Sequence, residues 1–324
     1  MSTPPLLLEV VVGNGWYRGR LGRPSRRDLY GDRLGVVARL DVRLADGTAL
    51  TVSTDRTWSL RDSQVIREDL YDGCETDLTA SSHACARPVE VLPFDRSVLV
   101  ERDFPPVRVT ERRKAVTART RPDGSLLLDF GQNLVGWVSL GIDRPRAGQT
   151  VVVRHAEVER DGDLQVRPLR GARATDVYRL AEAPTVTLEP SFTFHGFRYA
   201  VVEGLTDEQL ADAEAVVVGS DLRRTGWLHT SDPLLNRFHE NVVWSMRGNM
   251  VSLPTDPQRD ERLGWTADIQ VFAPTAAFLY DVDALLRSWL EDLYSCQGAD
   301  GSVPVVVPDI YRRASVATAG WATR

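Results

Sequence analysis

The chain has 324 residues, of which 43% are hydrophobic, 26% charged and 8% aromatic. This globular balance excludes disorder, collagen or coiled coil as a description of the whole and allows two or three domains. Lys and Arg number 39 against 45 acids, for a net charge of −6, which excludes the basic excess of a nucleic-acid binder.

The first stretches read as strands. Val36–Leu44 alternates apolar and polar residues, Asp46-Gly47 supplies a turn, and Ala49–Ser53 resumes the alternation. Asp-Gly between apolar runs is a strong hairpin signal. It recurs at Asp123-Gly124 before Leu126–Phe130, and at Asp161-Gly162 after Gln149–Val158; Ser191–Val202 alternates aromatic and polar residues. Many short strands with Gly and Pro turns predict two β-sandwiches. Pro105-Pro106 is the expected seam, because a proline pair removes two ladder donors. After Asp221 the period becomes helical. Asp232-Pro233 opens a first helix with Leu235, Phe238, Val242 and Met246 on one face and Gly248-Asn249 as its stop. Trp265–Leu279 and Val282–Gln297 are the next two helices. No repeat or low-complexity tract interrupts this order.

Lys114 is the single lysine. GC-rich codon usage accounts for the arginine excess, and lysine Schiff-base chemistry is all but excluded. The three cysteines show no Cys-x-x-Cys spacing, so neither a disulfide framework nor a zinc site is expected; a Cys74–Cys85 bridge stays open beside free thiols. No apolar run approaches the roughly 18 residues of a membrane span. Met1–Glu9 lacks a basic leader, so a cytoplasmic location is expected.

Pro254–Asp268 is the stretch richest in chemistry, holding Asp256, Asp260, Glu261, Asp268, Arg259, Arg262 and Trp265 within 15 residues. An indole packs on a sugar's C–H face while carboxylates accept hydroxyl protons, and a carboxyl beside an aromatic ring can be raised to act as an acid. The competing reading is a solvated loop of Asp–Arg pairs, each contributing little. His155, Glu157 and Glu159 share one strand face and read as a surface-facing polar row ahead of a metal pair, His195 as a packed or capping residue ahead of a ligand, and His239 as a surface residue. No nucleotide, zinc-protease or serine-hydrolase motif is present, and no metal or cofactor is expected.

Several segments taken in order resemble the bacterial α-L-rhamnosidases of glycoside hydrolase family 78: Gly13–Gly22, Asp129–Trp137, Arg154–Glu157, Arg167–Asp176, Phe192–Tyr199, Ser231–Asn236 and Pro254–Asp268. The resemblance implies a multidomain β + α fold: β-sandwich domains followed by the first part of an (α/α)6 barrel. The expected bounds are 1–104 for a partial N-terminal sandwich, 105–222 for a concanavalin-like sandwich and 223–324 for an incomplete catalytic barrel. It implies Glu261 as general acid, with Asp256, Asp268, Trp265 and Arg259 on the sugar. It also implies rhamnose-containing glycosides as substrates, hydrolysed with inversion.

Two departures from the family pattern are local. The loop reads Asp256-Pro-Gln-Arg where many relatives have a Cys between the Asp and the Pro, and the pattern breaks over Cys74–Ala86. The third is length. Twelve barrel helices need about 190 residues, and 102 follow Leu222. Likeness is read as fading after Pro308-Asp309, making Tyr311–Arg324 a foreign tail. The expectation is a chain truncated at both ends that lacks its general base, Asp268 and Glu240 being the candidates should the chain prove active alone. The alternatives are a non-catalytic carbohydrate-binding fragment using Trp16, Tyr17, Trp137 and Phe194, and a separate chain that completes the barrel.

Overall fold

The computed structural model describes residues 7–22, 26–80 and 86–311. Cys85 lies outside them, and Cys74 is a buried free thiol. A short helix, α1 (Gly15–Arg18), precedes strands β1 (Arg39–Arg43), β2 (Ala49–Ser53), β3 (Ser59–Leu60), β4 (Val65–Asp69), β5 (Gly73–Asp77) and β6 (Arg87–Pro88). Strands β7 (Val107–Lys114), β8 (Thr117–Thr120), β9 (Leu126–Asp143), β10 (Thr150–Ala156), β11 (Glu159–Arg160) and β12 (Asp163–Leu164) follow. The strands end with β13 (Thr175–Arg179), β14 (Thr185–Leu188), β15 (His195–Glu203) and β16 (Leu210–Ser220). Three longer helices close the chain: α2 (Pro233–Asn249), α3 (Thr266–Leu279) and α4 (Asp283–Cys296).

The predicted hairpins form where Asp-Gly places them. β1 pairs β2 around Gly47 at φ +88°, β8 pairs β9 around Gly124 at φ +81°, and β11 pairs β12 around Asp161 and Gly162, both at positive φ. Positive φ at the turn centre matches the right-handed strand twist.

Ten strands form one curled sheet in the order β4-β5-β13-β10-β15-β9-β16-β7, with β8 and β14 also on β9. The long β9 makes the curl. Its first residues pair with β8 and β15, and its last with β16 and β14. Between them Gly136 sits at φ +154°, where a Cβ would lie 1.7 Å from the Val216 carbonyl oxygen, so only glycine allows the crossing. Alternate residues Leu126, Leu128 and Phe130 point into a core shared with Val151, Val153, Phe197, Ala200, Val202, Ala215 and Val217. Each of the large side chains contributes roughly 1.5–3 kcal/mol by leaving water.

The expected boundary at 104/105 does not divide the sheets. β4 and β5 join the large sheet through a parallel β5–β13 pairing, with Val177 opposite Glu75. The seam prolines do end the loop before β7.

The helices start and stop close to the expected residues. The Asp232 carboxylate caps α2 by accepting from the Leu234 N–H at 2.8 Å. The buried face of α2 is, however, His239, Val243 and Met246, while Leu235 is 51% and Phe238 66% exposed. The expected face is right at Met246 and at Val242, which packs on the helical core, and wrong at Leu235 and Phe238, because the first turns of the helix bury His239 instead. His239 is therefore buried, correcting its expected surface position; its Nε2 accepts from Arg224 and from the Leu228 N–H.

Candidate active site

The acid loop is folded on itself. Asp256 and Leu263 exchange backbone hydrogen bonds at 3.1 and 3.3 Å, and the Pro257 carbonyl accepts from the Glu261 and Arg262 N–H groups at 3.1 and 3.2 Å. So tight a loop forces Arg262 to φ +59°, a conformation few non-glycine residues adopt. The side chain holds it there. The buried Arg262 guanidinium donates to the carbonyls of Gln258 and Phe194, each at 2.6 Å, and to that of Leu70. It also lies 4.1 Å from the centre of the Phe194 ring. Burial draws its pKa down to about 10, which leaves it charged at neutral pH. Arg262 is thus the pin between the loop and the sandwich.

The loop's far end is fixed by close backbone approach. At Gly264 a Cβ would lie 2.2 Å from the Val307 carbonyl oxygen, and Val307 N–H donates to the Gly264 carbonyl at 2.8 Å. Trp265 begins α3 and packs in a cluster with Leu21, Leu263, Val306 and Ile310. The N-terminal segment, the sandwich and the helices therefore meet at this loop.

Glu261 stands at that meeting point. Its carbonyl accepts from the Tyr71 hydroxyl at 2.6 Å, Oε1 from Trp265 Nε1 at 3.1 Å, and Oε2 from Arg170 Nη1 at 3.2 Å. Arg170 also pairs with the buried Asp260 at 3.1 Å. Asp256 and Asp268 are open to solvent, the latter in the first turn of α3. Partial desolvation on the side of Asp256 facing the packed loop raises its pKa although the residue still meets solvent, the negative charges of Asp268 and Glu261 raise it further, and Arg259 opposes them. Those three acids share one electrostatic neighbourhood. Arg259 instead spends its guanidinium on Glu157 at 3.2 Å, the Pro168 carbonyl at 3.2 Å and Asp260 at 3.5 Å. A cleft between the sheet edge and α2, lined by Thr110, Ser220, Met246, Arg247 and Tyr280, contains none of these acids.

Sequence reasoning assigned no role to Tyr71, Arg170 or the Arg262 pin. The segments of Arg170 and Arg262 stand out in the sequence through the family resemblance, but nothing local shows that these side chains, or Tyr71, reach residues 91 to 192 positions away.

The row His155, Glu157, Glu159 is also corrected. His155 is 1% exposed and faces inward, because the core side of β10 offers it Asp176 and His195. Glu157 lies beyond the end of β10 and turns to Arg259. Burial, then His195, pushes the His155 pKa down to about 3, so its imidazole is neutral. His195 is packed, as expected, with Nε2 at 3.1 and 3.2 Å from the two Asp176 oxygens.

A curled sheet thus leads into paired helices, with acids and an indole gathered at their seam, the arrangement of a multidomain β + α protein. The comparisons agree in order along the chain. The family models described as the α-L-rhamnosidase N-terminal domain, the bacterial α-L-rhamnosidase concanavalin-like domain and the bacterial α-L-rhamnosidase 6 hairpin glycosidase domain match residues 7–111, 119–219 and 223–324. An α-L-rhamnosidase of Streptomyces avermitilis is 37% identical over 97% of this chain and 32% of its own length. The crystal structure of native α-L-rhamnosidase from Aspergillus terreus superposes with a TM-score of 0.88 at 40% identity, covering 96% of this chain and 38% of that one. The S. avermitilis enzyme complexed with L-rhamnose gives 0.88 at 36% identity, over 95% of this chain and 31% of that one.

The chain belongs to the bacterial α-L-rhamnosidase family and spans about a third of the length of the curated relatives it matches. The last match runs to residue 324, which overturns the reading of Tyr311–Arg324 as a foreign tail.

Proposed function

We propose that this chain supplies the sandwich platform and the general-acid half of an inverting glycoside hydrolase that releases terminal α-L-rhamnosyl groups. The grip on Glu261 carries the reading: an indole N–H on one oxygen and a guanidinium on the other fix its carboxyl at the seam. Asp256 and Asp268 face solvent beside it, where they can accept sugar hydroxyls, and Trp265 lines the same corner. Arg259 acts by holding the loop on Glu157. In an inverting reaction the acid protonates the leaving oxygen while a second carboxylate, roughly 6.5–9.5 Å away, activates water on the opposite face. We assign that base to the rest of the helical barrel, joined to this chain or supplied by another polypeptide.

The test measures release of rhamnose from an aryl α-L-rhamnoside by the chain together with the remaining barrel. Glu261→Gln is expected to lower the rate about 10²–10⁴-fold, and the first-formed sugar anomer, read by NMR, to be inverted. Wild-type turnover in Glu261→Gln would sink the assignment. The binding-module alternative predicts rhamnoside binding that survives removal of everything after residue 222. Three of its four aromatics are already engaged inward: Trp16 beside Tyr71, Trp137 on Glu189, and Phe194 beneath Arg262.

A further inference from the structure

We propose that His155, Asp176 and His195 form a structural site for a single zinc-class divalent ion inside the sandwich. The three residues lie on the adjacent strands β10, β13 and β15 and are 1%, 1% and 0% exposed. One ligand atom from each falls within 4.8 Å of the other two.

Hydrogen bonding sets the direction of each donor. His155 Nδ1 is 3.0 Å from the Ala174 carbonyl. A carbonyl only accepts, so Nδ1 carries the proton and Nε2 presents a lone pair. That Nε2 has no hydrogen-bond partner and points across 3.9 Å at Asp176 Oδ2, itself an acceptor. His195 Nε2 donates to the same oxygen at 3.1 Å, and the opposite nitrogen of His195 is buried without a partner. The bare Nε2 lone pair of His155 thus faces a carboxylate oxygen in the interior where His195 is the one donor, and a zinc ion would take the place of that single shared proton.

The donor set and its surroundings favour zinc. Two imidazoles and a carboxylate suit that ion. With bonds near 2.0–2.1 Å, tetrahedral ligand atoms stand about 3.3 Å apart, and here two of the separations are 3.1 and 3.9 Å. Outer contacts of the expected kind exist: the Ala174 carbonyl orients His155, and the Cys74 N–H donates to Asp176 Oδ1 at 2.9 Å. The Tyr178 hydroxyl, two residues along β13 from Asp176, is likewise buried and without a hydrogen-bond partner. The site is structural, because its three residues are almost wholly buried, so loading would accompany folding. It stands beneath the candidate acid: the carbonyl of Phe194, next to His195, receives Arg262, and Gly196 lies against the Arg259 backbone.

The experiment is elemental analysis and zinc-edge X-ray absorption on the chain refolded with zinc and dialysed against chelator. The expected result is about one zinc per folded chain, with nitrogen and oxygen scatterers near 2.0–2.1 Å and no sulfur near 2.3 Å. Substituting cobalt should give the visible absorption of a low-coordinate nitrogen–oxygen site. His155→Gln and Asp176→Asn should each lose the ion while circular dichroism reports on the fold. The measurements on the unaltered chain stand even where a variant fails to fold. A folded chain retaining under a tenth of an equivalent, a sulfur shell around the ion, or zinc kept by folded His155→Gln would each overturn the proposal.

Discussion

Asp256 and Arg262 sit six residues apart in one loop, and the fold treats their charges in opposite ways. Arg262 is satisfied by three carbonyls and two aromatic rings, so its burial is compensated. Arg262→Ala would leave the Leu70, Phe194 and Gln258 carbonyls facing a void, at about 1–3 kcal/mol for each buried group left unpaired. We expect urea unfolding to show a loss of several kcal/mol and the loop after Pro254 to become open to proteolysis. Arg262→Lys should lose less, because an ammonium can still satisfy one or two of the carbonyls, yet still destabilise, because a point charge cannot bridge all three as the guanidinium fork does.

Asp256 shows the reverse. Its pKa is raised by burial and by Asp268 and Glu261, so the folded chain holds that proton to higher pH than the unfolded chain does. Stability from this residue is therefore greatest below the ordinary value of 3.8 and falls as pH rises through the raised value. Asp256→Asn removes the penalty. Its melting temperature should exceed that of the parent by about 1–3 °C at pH 7, and the gain should vanish near pH 3. A gain that persists at acid pH would show that packing, not charge, is responsible. Charge repulsion kept at a loop is a mark of function over stability, and the same substitution should weaken rhamnoside binding.

At the scale of elements, α2 tests which stripe the sandwich needs. Met246→Ala and Val243→Ala should each destabilise by about 1–4 kcal/mol, since both side chains are 2% exposed. Leu235→Ser and Phe238→Ser should change stability by under about 0.5 kcal/mol, measured by urea unfolding of this chain. Equal costs on both stripes would refute the observed packing. The helix itself was legible because a cap, a proline and a 3.6-residue period are local signals. Its buried stripe was legible only in its second half, at Val242 and Met246; in the first half it depends on what lies opposite, and the apolar Leu235 and Phe238 outscored a buried histidine. The same division holds for the sheet. Asp-Gly turns marked three hairpins, but the parallel pairing of β5 with β13 joins residues about 100 apart and leaves no local trace. At the site, the density of acids around Trp265 exposed the loop, whereas Tyr71 and Arg170 are single polar residues whose partners only the fold reveals.

Over the whole molecule, the sheet buries its apolar face while the described helices leave theirs partly exposed. Within the described residues the ten-stranded sheet encloses its own core, while α2, α3 and α4 turn Leu234, Phe238, Val271, Phe278, Leu290 and Tyr294 outward at 54–81% exposure. Large apolar side chains gathered on neighbouring helices mark a surface that takes a partner. A barrel of paired helices hides such faces against further helices, and the chain spans only a third of its relatives' length. Two outcomes follow for a triple variant, Phe238→Ser, Leu290→Ser and Tyr294→Ser. Alone, it should shift from self-associated to monomeric in size-exclusion chromatography, with its unfolding midpoint nearly unchanged, because none of the three side chains belongs to the core. Combined with the remaining barrel, it should lose most of the rhamnosidase rate that the parent chain gains, although Glu261 and its contacts are untouched. If the variant instead kept full activity in the combination, the outward faces would not be the docking surface of the barrel, and their exposure would need a different partner.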